Sequence, residues 1–283
     1  MENFRKTTVP EKGFTHGGKF HSDDVFSTAL LRILNPKIQI ERGFVVPEAF
    51  DGIVYDIGRG QFDHHQKEKE YRENGCPYAA FGLLWRAFGN QLADEKEVQR
   101  FDAEFVQPLD KSDNTGSDNM LAEIIAEFNP GWDSGLSYDE CFWKAEEFAE
   151  TILRNHFQML EGMKRGKAVL DKAMDESDGK ILVMPIYVPW KQDVIGSPYQ
   201  FAVYPSNRGG FSIQGVPKSL EDNSLACDFP KEWWGVEAEE LAKLSGIKSL
   251  RFCHPNGFLA AADTLEDAVK TAEYALRYNG KTC

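Results

Sequence analysis

The stretch "THGGKFHSDDVFSTALLRIL", Thr15–Leu34, decides how the first half of the chain is read. A short extended segment ends near Thr15, and a turn carries His16 and His21. "SDDVFSTALLRIL" then places Val25, Ala29, Leu30, Ile33 and Leu34 at a helical period. Ser22 is the expected N-cap, and Asp23 and Asp24 suit the positive end of a helix. Strand, turn and helix in that order is the repeating unit of an α/β domain. The turn lies at the carboxyl end of its strand, where ligands bind in such sheets.

The pattern continues outward. "KIQIERG" and "GIVYDIG" read as strands, and "QFDHHQ" follows as a strand edge or loop. "YAAFGLLWRAFG" reads as a buried helix closed by Gly89, and "DEKEVQRFDAEFV" as a helix ending before Pro108. A long helix is expected from about Tyr138 to about Ala173, with Phe142, Phe148, Ile152, Leu153, Phe157 and Leu160 on its apolar face. After "ESDGK" the chain turns strand-rich: "ILVMPIYVP", "QFAVYPS", "FSIQGVP" and "SLRFCHP". A last helix starts at Thr264 as N-cap, with Gly280 past its end. The expected architecture is an α/β domain over about 1–170 with a largely parallel sheet, then a smaller α+β domain over about 171–283.

Composition narrows the function. The net charge of −13 argues against a general nucleic-acid coat, which needs a basic surface. It leaves room for a nucleic-acid enzyme whose bound metals supply local positive charge. The five cysteines are scattered and form no C-x-x-C pair, so neither a disulfide framework nor a cysteine zinc site is expected. No apolar run approaches the roughly 18 residues of a membrane span, and "MENFRKTTVPEKGF" has no leader-like core, so a cytoplasmic setting is expected.

Most of the six histidines stand beside carboxylates. Asp carboxylates with neutral imidazoles suit Mn²⁺, Fe²⁺, Zn²⁺ or Co²⁺ better than Ca²⁺, which takes oxygen ligands. His16, His21, Asp23, Asp56, Asp63, His64 and Asp110 together are enough for two ions about 3.5–4 Å apart. A lone His–Asp pair is more often a polar contact than a ligand pair; three such clusters at strand ends are not. His64 and His65, adjacent on an extended chain, point opposite ways and so are not expected on one ion. One is a ligand; the other meets a substrate phosphate or orients a ligand. A closed structural zinc site fits poorly, since such sites are often cysteine-built.

"FDHHQ" resembles the signature of the DHH phosphoesterases, whose other blocks look like "HGGKFHSDD", "VYDIG" and "PLDKSDNTG". With "AAFGLLWRAFG", "VPW", "YPSNRGGFSIQGVP" and "CHPNGFLAAADTLEDAVKTA", in order over nearly the whole chain, the sequence resembles the melanocyte proliferating gene 1 family of metal-dependent hydrolases. The resemblance implies metal ligation by His16, His21, Asp23, Asp56, His64 and Asp110, with Asp113 in support of Asp110. It implies a catalytic triplet of Asp63, His64 and His65, with Asp63 orienting a histidine. His21 stands where the wider superfamily has Asp, which favours nitrogen-seeking metals. Two Mn²⁺ ions are implied, with Mg²⁺, Co²⁺, Fe²⁺ or Zn²⁺ as alternatives. The second domain is implied to hold substrate through Arg208, His254 and backbone N–H groups at Gly257, beside His65 from the first; Lys191 is a weaker candidate. Trp190, Trp233 and Trp234 are expected in the core rather than on a base.

The expected activity is phosphoester hydrolysis, as an exonuclease on RNA or short single-stranded oligonucleotides, with no membrane partner and room for oligomerisation. A phosphatase acting on a small nucleotide, or a non-catalytic metal- or nucleotide-binding regulator, are the alternatives.

Overall fold

The computed structural model describes residues 8–177, 179–222 and 224–279. The protein is a mixed α/β chain with one parallel and one mixed sheet. Its contacts divide it into two compact units, Met1–Met159 and Leu160–Cys283.

The first unit is built on the opening stretch. Strand β1 (Lys12–His16) leads into helix α1 (Ser22–Leu34). Strands β2 (Gln39–Gly43) and β3 (Ile53–Val54) flank β1, both parallel to it, in the order β2-β1-β3. Helix α1 begins one residue earlier than expected. His21 is the capping residue, held extended at φ −124°, ψ 178°, and its N–H donates to Asp24 Oδ1 at 2.8 Å. Ser22 is therefore the first helical residue. From Ser22 to Leu31 every residue of α1 is buried, which makes it the central helix of the unit.

Helix α2 (Ala80–Phe88) has no capping side chain of its own, because Ala79 precedes it. Asp23 supplies one from α1: its carboxylate accepts from Ala80 N at 2.9 Å and Phe81 N at 2.7 Å. Two N–H groups that a helix start leaves unpaired are thus satisfied. Helix α3 (Glu95–Phe101) runs on through a wide π-helical turn, Asp102–Val106, into α4 (Gln107–Thr115). The expected stop before Pro108 does not occur. Pro108 falls in the first turn of α4, where the missing N–H is tolerated. Asp110 consequently lies within a helix rather than beyond its end. Helices α5 (Met120–Ala126) and α6 (Tyr138–Glu176) complete the unit, with α6 continuing into the second.

The core of the first unit is aromatic. Trp85 lies 4.8 Å from Phe101 and 5.9 Å from Phe157 between ring centroids, and its indole N–H donates to Val98 O. Phe26 meets Phe81 and Phe105 at 5.6 and 5.4 Å.

The second unit holds β4 (Ile181–Val183), the short α7 (Lys191–Val194), β5 (Phe201–Pro205), β6 (Phe211–Gly215), α8 (Ala238–Ser245), β7 (Leu250–Cys253), β8 (Leu259–Ala262) and α9 (Leu265–Asn279). The strand order is β4-β5-β6-β8-β7, with β4 and β5 parallel and the other pairs antiparallel. Alternation along β5 shows that both faces are covered. Phe201 and Val203 join a cluster with Trp233, Leu241 and α9, while Ala202 and Tyr204 join one with Leu182, Met184 and Trp190. Trp190 and Trp233 are thus core residues. Thr264 caps α9 by accepting from Asp267 N; Gly280, expected past its end, lies outside the described residues. Among the described residues no helix is long and apolar enough to cross a membrane.

Replacing Trp85 with Ala empties the centre of the first unit. We expect a loss of about 3–5 kcal/mol, read as a lowered denaturant midpoint, with the second unit's tryptophans reporting little change.

Candidate metal centre

Four short segments converge at the carboxyl edge of the parallel sheet: the turn after β1, the second residue after β3, the loop 59–66, and α4. Asp56 occupies the middle. Its backbone is left-handed, φ 54°, a region in which an L residue stores about 1 kcal/mol but which Asp tolerates better than most. That conformation turns the carboxylate across the site. Oδ2 lies 3.2 Å from His16 Nε2, and Oδ1 lies 3.2 Å from His64 Nε2.

Each imidazole faces a further carboxylate. His16 Nε2 is 3.3 Å from Asp24 Oδ2. His64 Nε2 is 3.2 Å from Asp113 Oδ2 and 3.7 Å from Asp23 Oδ2. The ring nitrogens on the far side are occupied: His16 Nδ1 lies 3.2 Å from Gly17 O, and His64 Nδ1 lies 3.4 Å from Asn114 Oδ1. A proton on each Nδ1 leaves both Nε2 lone pairs aimed into the cluster. His16, His21 and Asp24 can offer ligand atoms to one ion; so can Asp23, His64 and Asp113; and so can Asp56, His64 and His65.

Asp110 is held elsewhere. Its Oδ1 accepts from Gly82 N at 3.1 Å, and Oδ2 is 2.8 Å from Arg72 Nη2. The same guanidinium grips Asp102 at 2.9 and 2.7 Å. Gly82 permits this approach, since a Cβ there would lie 1.9 Å from Asp110 Oδ2. The carboxylate that reaches His64 is Asp113, one turn further along α4. Because the helix runs through Pro108, the residue at i+3 takes the place expected of Asp110.

The loop 59–66 departs from the extended chain expected at His64 and His65. Asp63 Oδ2 accepts from Arg59 N at 2.6 Å, and Oδ1 accepts from His65 N at 3.0 Å while lying 2.9 Å from His65 Nδ1. This tight turn brings the two rings to 4.2 Å between centroids and sets both near Asp56 Oδ1. Asp63 thus orients His65, whose side chain is 62% exposed. Two cavities of about 430 Å³ open on the cluster. One is walled by His64, His65, Lys69 and Asp113, the other by His16, Lys19, Arg59 and His65.

Arg208 is exposed in the turn between β5 and β6, and His254 follows β7 with its ring 4.3 Å from Phe258. Both belong to the second unit. Gly257 does not have the free N–H expected of it. Its N–H donates to His254 O at 2.7 Å in a turn that leads to β8, not to a helix. Glycine is needed there because φ is 66° and a Cβ would lie 2.1 Å from the Trp234 indole.

The donor set fits divalent cations. Asp24 Oδ2, Asp56 Oδ1 and His64 Nε2 are buried and meet only ionisable groups, at 3.2 to 3.7 Å. Carboxylates and imidazoles desolvated together at one point are costly unless charge is neutralised there, which a bound cation would do. Protons answer the crowding in the absence of a cation. Burial pushes Asp24 up to about 7, and raises Asp23 and Asp113. His16 is raised to about 9 against the effect of burial, by Asp56 and Asp24, while Asp56, between two imidazoles, is held at about 2 although burial opposes it.

The fold and this cluster define an α/β protein with a candidate metal centre at the end of a parallel sheet. The chain belongs to the MYG1 exonuclease family, described as an uncharacterised protein family (UPF0160), whose model matches residues 13–276. It is 25% identical to the MYG1 protein of Dictyostelium discoideum over 322 residues, covering 95% of this chain and 97% of that protein. It is 27% identical to the MYG1 protein of Saccharomyces cerevisiae, covering 93% and 94%. It is 26% identical to the human MYG1 exonuclease over 330 residues, covering 96% and 87%.

A cation entering the cluster must displace these protons. Binding of Mn²⁺ is therefore expected to release protons and to tighten as pH rises through about 7 to about 9, where Asp24 and His16 deprotonate. Calorimetry in buffers of differing ionisation enthalpy reads the proton count. Affinity independent of pH over that range would contradict the assignment of these groups.

Proposed function

We propose that the protein is a metal-dependent phosphoesterase that cleaves nucleic-acid phosphodiesters as an exonuclease, with RNA or short single strands as substrate. The observation that carries this reading is Asp56, with one carboxylate oxygen toward His16 and the other toward His64. One shared carboxylate between two groups of ligand atoms is the donor arrangement that a two-cation hydrolytic site requires. The family match and the relatives bearing the name exonuclease support it, as does the resemblance to DHH phosphoesterases.

On this reading His16, His21 and Asp56 would hold one ion, with Asp24 beside them. Asp23, Asp56, His64 and Asp113 would hold the other, so that Asp113 replaces Asp110 in the ligand set. Cations bound there, Mn²⁺ foremost, would activate water for attack on phosphorus and draw charge from the phosphate oxygens. The chain's own groups do the rest. Gly17 O and Asn114 fix the two imidazoles. Asp63 holds His65 at the mouth, where its ring would contact the substrate phosphate or pass a proton to the leaving oxygen. Lys19 and Arg59 line the opposite mouth and would attract the anionic substrate. Arg208 and His254 remain substrate-binding proposals from the second unit.

His64→Ala and Asp56→Ala should each lower hydrolysis of an RNA oligonucleotide on the order of a thousandfold, with circular dichroism unchanged. Full activity of either variant in Mn²⁺-replete buffer would remove the assignment. Asp113 and Asp110 separate by readout. Asp113→Asn should lose bound metal and activity together. Asp110→Asn should keep its metal but lower the unfolding midpoint, since weakening the buried Arg72 pair costs about 3 kcal/mol. The reverse pattern would restore Asp110 as the ligand.

A further inference from the structure

A further cavity lies beside the cluster, not over it. It measures about 800 Å³ and is walled by Lys69, Tyr71, Cys76, Gln107, Lys111 and Asn114. Lys69 and Asn114 also line the cavity that contains His64, His65 and Asp113, so the two spaces meet at that pair. Lys69 Nζ donates to Asn114 Oδ1 at 2.9 Å, and Asn114 is the residue that reaches His64.

The wall is preorganised around an exposed ring. Tyr71 is 60% exposed on the loop 70–78. Its neighbour Arg72 is buried, clamped to Asp102 and Asp110, and bonded to Pro77 O at 3.1 Å. Its guanidinium lies 3.9 Å from the Tyr78 ring centroid. Tyr78 N bonds Glu70 O, Arg72 N bonds Cys76 O, and Asn74 ties the loop to Gln107 at 2.8 Å. A loop fixed in this way presents Tyr71 from an ordered backbone, so less order is lost when a flat partner binds.

The charges agree. The chain carries −13 overall, yet this wall presents the exposed lysines 69 and 111. Among the nearest acids, Glu70 is paired with Arg86 at 2.7 Å and Asp102 with Arg72, while Asp118 sits on the cavity's edge. Lysines along a groove track phosphates, and an exposed ring stacks on a base. A duplex stacks its bases on one another and offers none to Tyr71; a single strand does.

We propose that this groove seats the nucleotides adjoining the scissile phosphate of a single-stranded nucleic acid, with a base on Tyr71 and phosphates at Lys69 and Lys111. The proposal rests on the nuclease reading above and assigns that site's substrate its path.

Fluorescence anisotropy tests it, using a fluorescein-labelled RNA of about eight nucleotides, with Ca²⁺ in place of Mn²⁺ to suppress turnover. Tyr71→Ala should raise Kd about tenfold, a loss the size of one stacked base, and Tyr71→Phe should recover most of it. Lys111→Gln should reduce the slope of log affinity against log salt by about 0.7. Metal per chain should equal wild type in all three, and a duplex of the same length should compete poorly. Unaltered binding in Tyr71→Ala and Lys111→Gln, equal competition by the duplex, or no RNA binding by wild type would each overturn the groove. Wild type that cleaves RNA while the variants bind as it does would remove the groove and leave the nuclease. Wild type that binds RNA through Tyr71 yet never cleaves it would do the opposite.

Discussion

Asp56 is the constraint on which the rest of the first unit is arranged. A carboxylate buried between two imidazoles stays ionised only because both stand 3.2 Å from it. Each of those imidazoles needs its own support. His16 is held at the end of β1 by the sheet, and His64 by Asn114 on α4. The left-handed backbone at Asp56 is the cost of presenting the carboxylate sideways to the strand.

The neighbouring carboxylates have structural duties as well. Asp23 starts α2, Asp24 fixes the entry to α1, and Asp63 closes the turn that carries the histidine pair. This double use explains why so many acids tolerate burial in one place. Each has backbone N–H groups on one side, which offset part of the desolvation, and open lone pairs on the other. Arg42 adds positive charge behind Asp24 at 3.7 Å, itself covered by Phe142 and paired with Asp139. Arg72 plays the matching role beneath α4, where it takes up Asp110 and fixes the loop that bears Tyr71.

Much of this was legible in the residues. The period of Val25, Ala29 and Leu30 gave α1, and the strand before it gave the position of His16. What the sequence hid were effects of three-dimensional approach. Asp110 and Asp113 both carry carboxylates, and only the passage of α4 through Pro108 decides which one faces His64. Gly82 was a hint, since a glycine inside a buried helix often marks close approach of another element. A first-turn acid such as Asp24 usually serves only the helix end; its second oxygen is a ligand candidate because the fold brings it beside His16. The pairing of His64 and His65 depends on a turn made by Asp63, which a two-residue alternation rule cannot foresee. The backbone N–H at Gly257 is taken up by the hairpin turn between β7 and β8, which only the folded backbone reveals.

On the proposed reading Asp56 joins two cation sites in one hydrolytic centre. The most direct test of that reading is elemental analysis of metal per chain after Mn²⁺ loading and desalting, paired on the same sample with hydrolysis of a generic phosphodiester. Close to two ions per chain with turnover is the predicted result. One ion or none, with no hydrolysis when Mn²⁺ is supplied, would contradict it.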